Sequence, residues 1–218
     1  MTKKEEDFII EITHTDREAL NNIVEMVKRE GMMVAEVGSW TGNSTLTLAG
    51  RIKDYKGVIF AIDHWQGSPK TSHLKWAEER DIYAIFKERM VKNNVWSIIK
   101  PMVMESLTAA NIFRDKSLDL VFIDADHRYQ EVKKDIRAWL PKVREGGIIS
   151  GHDCEIQYKI LTEWARKAID EVINSLDPDT MHLDPIISIH PGVVKSVYEI
   201  FNNNYGVMPG SSVWYSKV

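Results

Sequence analysis

Glycine, acid and histidine residues in this chain stand just after short apolar runs, where side chains and open backbone can gather around a ligand. The run Val34-Ala35 leads into Glu36-Val37-Gly38-Ser39-Trp40-Thr41-Gly42-Asn43-Ser44, and Ile59-Phe60-Ala61-Ile62 leads into Asp63. Gly38 and Gly42 carry no side chain to block a ligand and can take the positive φ a tight turn needs. A helix starting near Asn43 or Ser44 turns its free N–H groups toward a carboxylate or phosphate. An acid closing the next strand is placed to hold a ribose, because a carboxylate accepts two hydrogen bonds at once. The pairing points to a nucleoside-containing cofactor. The spacing Gly38-x-x-x-Gly42, with no third glycine, speaks against the dinucleotide fingerprint. The other reading of the two glycines is an ordinary turn.

These groups need a scaffold that brings strand ends together. Apolar runs near 33–37, 57–62, 100–104, 118–123, 146–150, 186–190 and 212–216 alternate with stretches of helical period, the pattern of an α/β parallel sheet covered on both faces. Helices are expected over 16–30, 74–93, 131–143, 155–174 and from Pro191 through Phe201. In such a sheet ligands bind beyond the carboxyl ends of the strands. Glu36 to Gly42, Asp63, Glu105-Ser106, Asp124 to His127 and His152-Asp153 would therefore converge on one crevice. The polar loop from Leu176 to Pro185 reads as an insertion, and there is no internal repeat or low-complexity segment.

With 218 residues, 44% of them hydrophobic, the chain suits one domain spanning residues 1–218. A net charge of −4 with interspersed signs supplies no basic field for nucleic acid. No apolar stretch suits a membrane span or signal peptide, and Cys154 is the lone cysteine, so a cytoplasmic setting is expected. Oligomeric state is open; a homodimer is compatible.

From Glu36 to Asp153 the motifs resemble the class I S-adenosylmethionine-dependent methyltransferases. Glu36 to Ser44 is similar to the cofactor loop of the small O-methyltransferases related to the caffeoyl-CoA and catechol enzymes. Asp63-His64-Trp65-Gln66-Gly67 and Phe122-Ile123-Asp124-Ala125-Asp126-His127-Arg128-Tyr129 are similar to the group that includes sugar O-methyltransferases of macrolide biosynthesis. The resemblance implies a Rossmann-like three-layer sandwich with a seven-stranded, mostly parallel sheet whose last strand, Ser212 to Ser216, is antiparallel. It implies that Glu36, Gly38 and Ser44, with Ser39 and Gly42 in the same loop, hold the amino-acid part of S-adenosylmethionine and that Asp63 holds the ribose. Trp65 would stack on the adenine or line the crevice, or else form a wall of the core. Ser106 or the backbone at Glu105 would lie near the adenine, or face solvent.

In the caffeoyl-CoA type a metal-binding Asp is followed three positions on by a basic Lys; here Asp124 and His127 stand there. His127 suits a general base, with an ordinary pKa near ~6.5; it can equally cap the next helix or bond to Asp153. His152 is a second candidate base. By resemblance a divalent metal would take Asp124 and Asp153, but the neighbouring ligand position is Cys154, a poor partner for magnesium or calcium. Asp126 or water would fill the gap, or His127 and His152 would turn the set toward zinc, manganese or iron. Without metal, Asp124 would orient the methionine amine or the acceptor. His14, His73 and His182 read as surface residues, and His190 as lining the acceptor side or ending a strand. The expected function is methyl transfer to a small-molecule acceptor, at a hydroxyl oxygen. A non-catalytic cofactor-binding module, a nicotinamide-dependent oxidoreductase and an aminopropyl transferase are the alternatives.

Overall fold

The computed structural model describes residues 12–69, 71–183 and 187–218. Five parallel strands form its centre: β1 (Met33–Val37), β2 (Val58–Asp63), β3 (Ile99–Val103), β4 (Leu118–Ile123) and β5 (Val143–Gly151). Two short ladder strands, β6 (Met181–His182) and β7 (Ser188–Ile189), pair with each other apart from the main sheet. β8 (Gly206–Val207) and β9 (Trp214–Lys217) complete the main sheet in the order β3-β2-β1-β4-β5-β9-β8, with β9 antiparallel to both neighbours. β4 lies at the middle and all six of its residues are buried, as expected of a parallel strand covered on both faces.

One face is covered by the helices His14–Val27, Asn43–Ile52 and Ile82–Lys92 through Leu20, Ile23, Leu48, Phe86 and Met90. The other is covered by Tyr129–Trp139, Glu163–Ser175 and Pro191–Phe201, around Ile136, Trp139, Val194 and Trp214. The result is a three-layer α/β sandwich with seven strands, mostly parallel, and an antiparallel last strand.

Several element boundaries depart from the sequence reading. The run near 186–190 contributes only Ser188–Ile189 to the small ladder, while residue 186 lies outside the described residues; Pro191, without an N–H, starts a helix at once and leaves no length for a sheet strand. The seventh strand is Gly206–Val207, two residues too short to show alternation. The expected helix 74–93 is two helices, Ser72–Glu79 and Ile82–Lys92, because the Asp81 side chain caps the second by accepting from Ala84 N–H at 2.9 Å. Thr162 likewise caps Glu163–Ser175, so the helix expected from 155 begins eight residues late.

At the amino end of β4, Asp119 is fully buried and accepts from Arg29 Nε at 2.5 Å, Arg144 Nε at 2.6 Å and the Met33 N–H at 2.7 Å. This acid ties β1, β4 and β5 together at the edge away from the strand ends that carry the motifs. Among the described residues no helix is long and apolar enough to cross a membrane.

Candidate active site

The carboxyl ends of adjacent strands are bonded sideways, which fixes the row of motif residues. Gly38 N–H donates to Ile62 O, Asp124 N–H to Val37 O and His152 N–H to Ile123 O, at 2.8, 2.8 and 3.1 Å. Gly38, at φ +91°, has no room for a side chain: a Cβ would lie 2.0 Å from the Asp124 carbonyl oxygen. Gly42 caps the helix Asn43–Ile52 at φ +87° without a side-chain bond, and its Cβ would strike Met90 and Phe86. Both glycines thus serve backbone packing around the crevice, and the helix Asn43–Ile52 starts directly after this loop. Three of the eight positive-φ non-glycine residues among the described residues, Trp40 at 41°, Trp65 at 55° and Asp153 at 62°, follow the ends of β1, β2 and β5.

Glu36 is 0% exposed. Its Oε2 accepts from Ser39 Oγ at 2.7 Å and from Thr45 Oγ1, and Ser44 bonds to the same carboxyl, but Oε1 has no partner. Burial pushes this carboxyl up to about 7 against those hydroxyls. Asp63 accepts from Trp40 N–H at 2.8 Å on one oxygen and Trp65 N–H at 2.6 Å on the other; burial raises its pKa. Each oxygen keeps a second lone pair for a hydroxyl. The site's first acid therefore shapes the glycine loop as well as facing a ligand.

Trp65 does not offer a stacking face. It is 5% exposed, packs on Tyr83 and Phe86 at 4.9 and 5.1 Å between centroids, and donates its indole N–H to Trp40 O at 2.7 Å. Of the readings for it, the core wall describes its place. Ser106 turns its hydroxyl to Asp135 on the helix Tyr129–Trp139 and accepts from Trp139 Nε1 at 2.9 Å, so neither the adenine side nor solvent claims that side chain. Burial pushes Asp135 up to about 6 against the hydrogen bond it accepts from Ser106.

His127 stands where the acidic segments meet. Its Nε2 is 3.0 Å from Asp153 Oδ2 and 3.6 Å from Asp124 Oδ1, and its Nδ1 is 2.9 Å from Asp179 Oδ1. Burial opposes the charge, but Asp153, Asp124 and Asp179 outweigh it and hold the pKa well above the ordinary imidazole value. His152 bridges Asp153, at 2.9 Å, and Asp16 of the first helix, at 3.4 Å; burial opposes, yet the two carboxylates push it up to about 11. Asp153 in turn is held below the usual carboxylate range, as burial is overcome by His127, His152 and His190. The carboxylates around both histidines favour the imidazolium form, which opposes the base role read from the sequence.

Cys154 is fully buried, its thiol faces the Ile156 carbonyl and burial pushes its pKa up, so it offers no thiolate. His190, Asp179 and Glu155 join the cluster, and His73 enters the same crevice from the helix Ser72–Glu79. The His73 ring lies 4.8 Å from Trp40 and 5.3 Å from Trp76. Burial and then His127 lower its pKa against the pull of Asp179, Asp124 and Asp63. Sequence pattern marked His73 as surface because it precedes the helical period expected from residue 74; the one signal for Asp179 was its loop, Asp177-Pro178-Asp179.

A family model described as a methyltransferase domain matches residues 35–154. The uncharacterized protein y4gI of Sinorhizobium fredii (strain NBRC 101917 / NGR234) is 26% identical over 141 residues, 62% of this chain; the match spans only 15% of that protein's length. Among solved structures, an O-methyltransferase from Bacillus cereus in complex with SAH superposes with a TM-score of 0.62 at 16% identity, covering 99% of this chain and 86% of that one. The O-methyltransferase TomG from Streptomyces achromogenes, in complex with SAM, gives 0.60 at 13% identity over 99% and 85%. At these identities the superpositions establish the fold. The matched segment holds more than half of the residues and runs from β1 to the turn after β5, through every strand end that builds the crevice, and the chain belongs to the methyltransferase-domain family.

Proposed function

We propose that this chain transfers a methyl group from S-adenosylmethionine to a hydroxyl oxygen of a small-molecule acceptor in the cytoplasm. The observation that carries the reading is the unpartnered, buried Oε1 of Glu36 beside a glycine loop that opens the helix Asn43–Ile52, next to an acid, Asp63, with lone pairs to spare. An ammonium, a carboxylate and a ribose satisfy these three features together. The solved relatives from Bacillus cereus and Streptomyces achromogenes hold SAH and SAM. The lone, buried thiol and the net charge of −4 support a cytoplasmic small-molecule enzyme over a nucleic-acid partner.

When bound, the cofactor supplies an electrophilic methyl group on a sulfonium, which leaves as a thioether with the bonding pair. The chain must then position the acceptor oxygen in line and receive its proton. Asp124, at the end of β4, is the carboxylate placed to accept that hydroxyl's hydrogen bond and take the proton as the carbon–oxygen bond forms. His127, 3.6 Å from Asp124 and 3.0 Å from Asp153, offsets their repulsion in its protonated form.

A hard, oxygen-seeking ion does not fit the donors at Asp124 and Asp153. The third position is the protonated Cys154 thiol, and the corner between the two acids is filled by His127 Nε2.

The test is label transfer from methyl-labelled cofactor to a panel of hydroxyl acceptors. Asp124→Asn should keep SAH affinity while turnover falls about 100-fold or more; turnover equal to the wild type would remove Asp124 from the chemistry.

A further inference from the structure

Two histidines and one aspartate from three distant parts of the chain meet at the crevice rim. His127 follows β4, Asp179 lies in the loop after the helix Glu163–Ser175, and His190 precedes the helix Pro191–Phe201. One ligand atom from each lies within 4.8 Å of the others. His127 Nδ1 is 2.9 Å from Asp179 Oδ1, and His190 Nε2 is 4.0 Å from Asp179 Oδ2. With metal bonds of ~2.0–2.2 Å, neighbouring ligand atoms stand roughly 3–3.5 Å apart; the His127–Asp179 separation already fits, while the His190–Asp179 separation, measured to the other carboxylate oxygen, must close by about half an ångström and the third lies within 4.8 Å.

The packing is built for this meeting. The two imidazole centroids are 4.6 Å apart at 72°, edge toward face, so the rings do not stack their nitrogens away from a shared centre. Gly192 makes the approach possible: a Cβ there would lie 2.2 Å from the His127 carbonyl oxygen. The far nitrogen of each ring faces a carboxylate, as histidine ligands require for orientation and basicity. His190 Nδ1 is 2.5 Å from Glu155 Oε1, whose other oxygen accepts the His190 backbone N–H at 3.1 Å. His127 Nε2 is buried and lies 3.0 Å from Asp153 Oδ2, without an aligned hydrogen bond. Asp179 is 46% exposed, which leaves an entry from solvent and open coordination positions.

We propose that His127, Asp179 and His190 bind a late first-row divalent ion, with zinc as the type case, at a site distinct from the acids Asp124 and Asp153. Two imidazoles and one carboxylate suit such an ion and not magnesium or calcium. The ion would tie the loop carrying Asp179 to the crevice rim. The proposal does not rest on methyl transfer.

The test is calorimetric titration of tag-free, chelator-treated full-length protein with Zn2+ and, for the visible spectrum, Co2+. The expected result is one ion per chain, undiminished by excess Mg2+, with affinity lowered about 10- to 100-fold in Asp179→Ala and in His190→Ala and unchanged in Asp124→Asn. Asp179 is in a loop, so unchanged thermal unfolding of that variant serves as the folding control. Absence of zinc binding would overturn the proposal. So would binding that survives both Asp179→Ala and His190→Ala, or that is lost in Asp124→Asn, which would move the ion to Asp124, His127 and Asp153.

Discussion

At the residue scale the site is a set of buried charges whose partners decide their state. Glu36 was legible in the sequence as the acid of a strand-to-glycine turn, but its unpaired oxygen was not, since it depends on Ser39 and Thr45 both donating to the other one. Its raised pKa has a consequence for stability. A carboxyl with a normal value of 4.5 unfolded and about 7 folded makes the folded state bind more protons between those values, so stability falls as pH rises through that window. The cost above it is about 3 kcal/mol at most. Glu36→Gln should therefore raise the melting temperature of the ligand-free chain at pH 8, with little change at pH 4, while SAH affinity drops. A variant no more stable at pH 8 would show that the carboxyl ionises without penalty. The surroundings of His127 were hidden for the same kind of reason: the three carboxylates that raise its pKa come from positions 124, 153 and 179, and spacing shows only the first.

At the scale of elements, the strand ends were legible because apolar runs and their terminal acids coincide, and β1, β2 and β4 fall within a residue of their expected bounds. Helices were less so. Asp81 and Thr162 act as caps inside continuous helical periodicity, and a cap is a local hydrogen bond that period alone does not reveal. The break at Asp81 matters for function, because it frees Ser72–Glu79 to bring His73 and Trp76 over the crevice beside Trp40. That helix has no fully buried residue, unlike Ile82–Lys92, whose Ile82, Phe86 and Met90 are in the core. It is thus the weakly held cover of the site. Hydrogen exchange over residues 71–79 should slow by about tenfold or more when SAH is bound, while exchange in Ile82–Lys92 changes little. Equal rates with and without SAH would dissociate this helix from the cofactor.

At the scale of the whole molecule, the class of sheet and the antiparallel last strand were legible, the first from alternation and the second from family resemblance. The edge was not: the two residues of β8, and the diversion of Ser188–Ile189 into a separate ladder, are decided by tertiary packing. Asp119 was missed as well, although it organises the edge remote from the site. Burial opposes its charge, but Arg29 and Arg144 keep its pKa below the ordinary value, so its contribution is present above about pH 4 and is lost as pH falls. Asp119→Asn should cost about 3 kcal/mol in urea unfolding at pH 7 and leave SAH affinity intact; a loss of affinity without a loss of stability would place Asp119 in the functional machinery.

The central claim is that one crevice, built from the ends of β1, β2 and β4, holds a sulfonium nucleoside through Glu36 and Asp63. Calorimetric titration of the wild type and of Asp63→Ala with SAH tests it most directly. The account predicts one SAH per chain and an affinity lowered at least about tenfold by Asp63→Ala, the size of a lost charge-assisted hydrogen bond. No binding of SAH to the wild type, or the same affinity in both proteins, would contradict it.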